Sequence, residues 1–182
     1  MEALIFLLFF VLYILVRILM GGGKTDWEKQ AIRHEEGLRH YKFKEYDLAD
    51  EYFKEALLQR PYDALSYVVI GEIALCNNEA ERALFLGNKA LRLDNTIWQA
   101  HLLMSKAFHQ MEDYPLAIQN AKNAVWFGRD SSDAFHWYGK ILLESGDADK
   151  GLEMLSEAYK LGEEQSGLIL RKKGYFQKRN DI

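Results

Sequence analysis

Five histidines, one cysteine and several adjacent carboxylates are the residues of this sequence most able to do chemistry, and their spacing decides against most of it. His34, His40, His101, His109 and His136 form no His-Glu-x-x-His pair, the arrangement that sets two imidazoles and a general base on one helical face. His101 and His109 stand eight positions apart, about 12 Å along a helix, too far to share one metal ion. Cys76 is the only cysteine, which excludes an intramolecular disulfide and a cysteine zinc cluster. Glu35-Glu36 and Glu163-Glu164 fall where solvated helix ends are expected. Gly23-Lys24-Thr25 ends like a phosphate-binding loop, but the first glycine that loop requires falls on Ile18. No Gly-x-Ser-x-Gly elbow and no glycine-rich dinucleotide turn is present. These residues predict no catalytic centre, no metal, no cofactor and no small-molecule substrate.

The elements that carry these side chains follow from composition and period. With 182 residues, about half of them apolar, only two prolines and 13 glycines, the chain suits an all-helical domain plus an appendage. The net charge of -4 is uneven. Arg171, Lys172, Lys173, Lys178 and Arg179 face only Asp181 within residues 166–182, which leaves an acidic body. An acidic body predicts no nucleic-acid partner.

Residues 3–20 are apolar apart from Arg17. At about 1.5 Å per residue the run extends roughly 27 Å, close to the roughly 30 Å hydrocarbon core of a bilayer. It reads as an uncleaved transmembrane anchor over residues 1–20, with contact to membrane lipid through residues 3–20. A signal peptide would need a basic start and a small-residue cleavage site, and the chain begins Met1-Glu2 and ends its run Leu19-Met20. Arg17, Lys24, Lys29 and Arg33 lie at or after the end of the run, whereas only Glu2 precedes it. Basic flanks stay cytoplasmic, so the expected placement is single-pass, with the N-terminus outside and the rest cytosolic, in a bacterial inner membrane or an organelle membrane. Gly21-Gly22-Gly23 opens a flexible linker over residues 21–29.

From residue 30 onward, three columns of small residues recur every 34 positions: Gly37, Gly71, Ser105, Gly139; Ala49, Ala83, Ala117, Gly151; and Ala56, Ala90, Ala124, Ala158. Small side chains in register mark the crossings of paired helices, whose axes approach to about 8 to 10 Å. Breakers fall between them, at Phe43 to Asp47, Asn77-Asn78, Glu112 to Pro115 and Ser145 to Asp147 within units, and at Arg60-Pro61, Asp94-Asn95 and Gly128 to Ser132 between units. Each helix is about a dozen residues, too short to be stable alone, so units must stack.

Residues 30–165 resemble tetratricopeptide repeats (TPRs), whose signature is an aromatic or apolar residue, then Leu-Gly, Tyr, Ala, Phe, Ala and Pro. Gly37, Ala49, Phe53, Ala56 and Pro61 carry it in the first unit, and Tyr67, Ile70, Gly71, Ala83 and Ala90 in the second. Gly87 and Ala121 stand where Phe is usual, and Ser105 replaces Gly. The resemblance implies a right-handed all-α superhelix of four helix pairs (30–63, 64–97, 98–131, 132–165), closed by a basic capping helix or tail at 166–182 and preceded by the transmembrane helix.

It also implies a concave surface lined by the first helix of each unit. The contacts it places there are His34, Leu38, Tyr41, Leu65, Val68, Glu72, Leu102, Lys106, His109, Asp133, His136, Trp137 and Lys140. Leu75, Cys76 and Gln99 join them, with Val69 and Leu103 at the edge. Apolar anchors with a few charges suit an extended or helical peptide; the other reading of the apolar members is core. Lys172, Lys173, Lys178 and Arg179, with Arg17, are the candidate contacts to anionic lipid. The expected function is a membrane-anchored TPR adaptor, an accessory or assembly subunit of a membrane-associated complex. The alternatives are a chaperone-like factor for exported or membrane clients and a non-catalytic regulator of a membrane enzyme or protease.

Overall fold

The computed structural model describes residues 2–19 and 26–175, and these form ten α-helices. The order is α1 (Glu2–Leu19), α2 (Asp26–Lys42), α3 (Tyr46–Gln59), α4 (Ala64–Cys76), α5 (Ala80–Leu93), α6 (Trp98–Gln110), α7 (Tyr114–Phe127), α8 (Ser132–Glu144), α9 (Ala148–Lys160) and α10 (Glu164–Lys172). The starts of α4, α6 and α8 are 34 residues apart, and so are those of α3, α5, α7 and α9.

The α1 helix corrects one expectation. Among the described residues no helix is long and apolar enough to cross a membrane. Between Glu2 and Arg17 the charge-free stretch is residues 3–16, about 21 Å at about 1.5 Å per residue, well short of a bilayer's apolar core. The expected transmembrane anchor is therefore not found. With it falls the single-pass placement, with an outer N-terminus and cytosolic repeats, in a bacterial inner membrane or an organelle membrane. Residues 20–25, which hold most of the expected linker, lie outside the described residues, and α2 already begins at Asp26.

Within each pair the turn is the same object built four times. Lys44, Asn78 and Glu112 each have φ 62°, and Gly146 takes the equivalent place at φ 95°. The left-handed residue lets the amide that follows it fold back onto the first helix, as Glu79 N–H does on Ala74 C=O at 2.8 Å and Asp113 N–H on Phe108 C=O at 2.9 Å. Two of the helix starts that follow carry their own acceptors: Asp113 accepts from the Leu116 amide and Asp147 from the Lys150 amide, satisfying donors that a helix leaves open.

The small columns are where helices touch. Ala49, Ala83 and Ala117 are fully buried, as are Ala90, Ala124 and Ala158. A methyl group on Gly139 would meet the Gly151 carbonyl oxygen at 2.8 Å, so α8 and α9 approach backbone to backbone. One on Gly71 would strike Leu103 Cδ2 at 2.4 Å, so there the glycine makes room for the next unit's first helix. Phe53, Leu103, Ile141 and Leu155 fill the space between, each stabilising by about 1.5 to 3 kcal/mol through burial.

The first and last helices of the stack differ from the inner ones. The inter-unit positions filled by buried Val69 and Leu103, and by buried Ile73, Ala107 and Ile141, are Glu35 and Arg39 in α2, both exposed. At the other end, the α9–α10 connection reuses the within-unit turn, with Gly162 at φ 99° and Glu163 N–H on Ala158 C=O at 2.9 Å. The α10 helix folds back over α9 and buries Leu170, with Gly167 pressed against the Tyr159 ring.

Candidate functional site

The face that the TPR resemblance assigns to a partner belongs to α2, α4, α6 and α8, on which three columns are spaced by 34 residues: His34, Val68, Leu102, His136; Leu38, Glu72, Lys106, Lys140; and Tyr41, Leu75, His109, Leu143. The first column is divided. Val68 and Leu102 are buried, the former among Ala83, Ala90 and Leu103, the latter among Ala124, Ala134 and Trp137. They hold units together and offer no contact surface, and the same is true of Val69 and Leu103. Leu65 and Gln99 are half-buried, whereas Leu38 and Cys76 are exposed.

Charges in the second and third columns bridge units. Lys106 Nζ donates to Glu72 Oε1 at 2.8 Å, linking α6 to α4. His109 Nε2 lies 2.6 Å from Glu144 Oε2, linking α6 to α8. The Lys106–Glu72 pair is part-buried and gains more than an exposed pair, whose net value is about 0 to 1 kcal/mol; the His109–Glu144 contact is exposed. Lys140 is the exception: its Nζ is 4.0 Å from Glu144 Oε1, and that carboxylate's other oxygen is committed to His109. The ammonium lies instead over the Trp137 ring, 5.2 Å from its centroid.

Trp137 is fixed from beneath. Its indole N–H donates to Ser105 Oγ at 2.8 Å, and the Ser105 hydroxyl donates to the Ala117 carbonyl at 2.7 Å. Ser105 is fully buried. The serine in the glycine column thus couples α6, α7 and α8, and no signature position announces it. His109 meets the same indole edge-on at 5.3 Å. Aromatic side chains with a satisfied polar atom make rigid contact platforms.

The remaining predicted residues divide between the two ends. At the α2 end, His34 lies 3.7 Å from Asp63 and edge-on to Phe53, and the Tyr41 hydroxyl is pushed far above its ordinary value by burial, then by the Glu72 and Cys76 charges. At the α8 end, His136 shares a 2.7 Å hydrogen bond with Ser166 of α10, and burial lowers its pKa. Asp133 is exposed. Lys172 and Lys173 are exposed at the end of α10, whereas Lys178, Arg179 and the Arg17 side chain lie outside the described residues. Among the described residues no three His, Cys, Asp or Glu side chains are placed to hold a metal ion.

Comparison with known proteins identifies the fold. No protein-family model matches the sequence. The chain is similar to the BBSome complex member BBS4 of Bos taurus, 23% identical over 130 residues, which cover 71% of this chain and 24% of that protein. It thus spans about a quarter of that relative's length. Among solved structures it is similar to TTC0263, a thermophilic TPR protein of Thermus thermophilus, with a TM-score of 0.68 at 18% identity over 73% of this chain and 74% of that one. MamA follows at TM-score 0.59 and 19% identity, covering 76% and 84%. The first TPR of Spaghetti (RPAP3), bound to the HSP90 peptide SRMEEVD, gives 0.58 at 17% identity, covering 66% and 95%. At these identities the likeness is one of fold: an all-helical TPR-like solenoid.

Proposed function

We propose that this chain is a protein-interaction scaffold, not an enzyme, and that the α2, α4, α6 and α8 face receives an extended or helical segment of a partner. The carrying observation is the platform formed by Trp137 under Lys140: a rigid aromatic with a cation whose nearest carboxylate is engaged elsewhere. Such a pair is arranged before a ligand arrives, so little ordering cost remains at binding. Leu38 and Leu75 at the other end supply apolar contact, and the Glu72–Lys106 bridge between them fixes the spacing. A fold shared with a TPR seated on a peptide makes this geometry reasonable for a peptide segment. Within a larger assembly such a scaffold serves as an accessory or assembly subunit.

The test is co-purification of the full-length chain with its partners from native extract, comparing wild type with Lys140→Glu. Loss of a stoichiometric partner, with helical content and unfolding midpoint unchanged, supports the reading. Retention of every partner by Lys140→Glu and by Leu38→Glu sinks it.

A further inference from the structure

The second helices of the units turn their own surface outward, away from the groove, and one part of it is built unlike a solvated face. On α5, buried Ala83, Leu86, Gly87 and Ala90 point into the stack, which puts Phe85 and Lys89 on the opposite side. Phe85 is 60% exposed. Lys89 Nζ lies 4.9 Å from its ring centroid and 5.3 Å from that of Tyr67 on α4, so one ammonium sits against two aromatic rings. The Tyr67 hydroxyl donates to the Pro61 carbonyl at 3.2 Å and ties this pair to the α3–α4 connection, where Tyr62 is 81% exposed. No carboxylate pairs with Lys89 among the described residues, although Arg82 on the same helix is engaged by Glu79 and Asp50.

We infer that Phe85, Lys89, Tyr67 and Tyr62 form a second docking surface, outside the groove, for a protein segment carrying a carboxylate flanked by apolar side chains. Three arguments lead to that partner. Exposed aromatic rings contribute contact area at small entropic cost and are enriched at the energetic centre of protein interfaces. An ammonium held against two rings is positioned before a carboxylate arrives, so less ordering cost remains when the two meet. A lone cation among aromatics on an acidic chain of net charge -4 gives no extended basic track for a nucleic acid. The same composition recurs one unit along, where the Arg129 guanidinium lies 5.0 Å over the ring of Trp126, itself 64% exposed.

The experiment is selection of a displayed random dodecapeptide library on the full chain. Individual peptides are then titrated against wild type, Phe85→Ala, Lys89→Glu and the groove variant Lys140→Glu. All three side chains are at least partly exposed, and matched circular dichroism shows that the variants fold. Expected are peptides with Asp or Glu beside an aromatic or aliphatic residue whose affinity drops at least about tenfold, about 1.4 kcal/mol, in both Phe85→Ala and Lys89→Glu while Lys140→Glu leaves it unchanged. Three results overturn the inference: no selected peptide sensitive to the patch variants, peptides lacking a carboxylate, or a wild-type oligomer that Phe85→Ala dissociates, which would assign the patch to a second copy of the chain. A loss confined to Lys140→Glu supports the groove alone and likewise overturns it.

Discussion

The indole of Trp137 hydrogen-bonds to the hydroxyl of Ser105 at 2.8 Å, from one unit to the next, and that hydroxyl donates in turn to Ala117. This chain sets the orientation of the aromatic surface on which Lys140 rests. Replacing Ser105 by Ala leaves the half-buried indole N–H without its acceptor and is expected to cost about 1 to 2 kcal/mol. Urea unfolding checks it. Ser105→Gly, the usual residue of the column, should cost at least as much, since it leaves the same donor open and adds backbone freedom.

Gly139→Ala should destabilise by about 1 to 3 kcal/mol or more. The added carbon would lie 2.8 Å from the Gly151 carbonyl oxygen and 2.9 Å from the Leu155 amide, and neither can swing aside as a side-chain tip can. Gly151→Ala, pressed on the Leu143 side chain as well as on the Gly139 carbonyl, tests the same crossing from the other helix. Thermal melts of both variants within a few degrees of wild type would contradict the close approach.

Glu112→Gly should stabilise. Glu112 occupies the left-handed region at φ 62°, which costs an L-residue roughly 1 to 2 kcal/mol, and glycine returns about 0.5 to 1 of that to the unfolded chain. A net gain of about 0.5 to 1 kcal/mol in unfolding free energy is expected, with a smaller gain for Asn78→Gly because Asn tolerates this conformation.

Acidification should weaken the fold before any carboxylate is protonated. The pKa values of His101 and His136 are both lowered from 6.5, chiefly by burial, so the unfolded chain takes up these protons first. Stability from this source is complete above about pH 6.5 and is lost as pH falls through that value toward the lowered native pKa values. The Asp94 and Asp147 carboxyls, lowered by hydrogen bonds to Thr96 and Lys150, contribute only at more acid pH. Urea midpoints should decline between about pH 7.5 and 5, and less steeply in His101→Phe, whose ring can keep the stack on Phe127. A pH-independent midpoint over that range would contradict this.

Much of the fold is legible in the chain because its repeat is geometric. A 34-residue period in Gly, Ala and Ser marks helix crossings, and residues such as Asn78 and Gly146 mark turns. What each first-helix position faces is not legible at the same level. Such a helix touches its partner, the next unit and the groove, three faces on a 100° repeat, so Val68 and Leu102 read like groove residues but lie in the core. Ser105 reads as a departure from glycine, and only its distance to Trp137 reveals a hydrogen-bonded strut. Glu35 and Arg39 read as ordinary surface residues until aligned with Leu103 and Ala107, whose inter-unit positions they hold in α2. The apolar run of α1 shows the opposite failure: composition suggests a membrane span, and the charge-free length does not support it.

Whether a partner lies along the α2, α4, α6 and α8 face is read out by photo-crosslinking. A benzophenone amino acid is placed in turn at Leu38, Gln99 and Lys140 on the inner face, and at Glu112 on a turn outside it. One common partner is expected to crosslink from all three inner positions and not from Glu112. Crosslinks to that partner from Glu112 with none from the inner positions would contradict it.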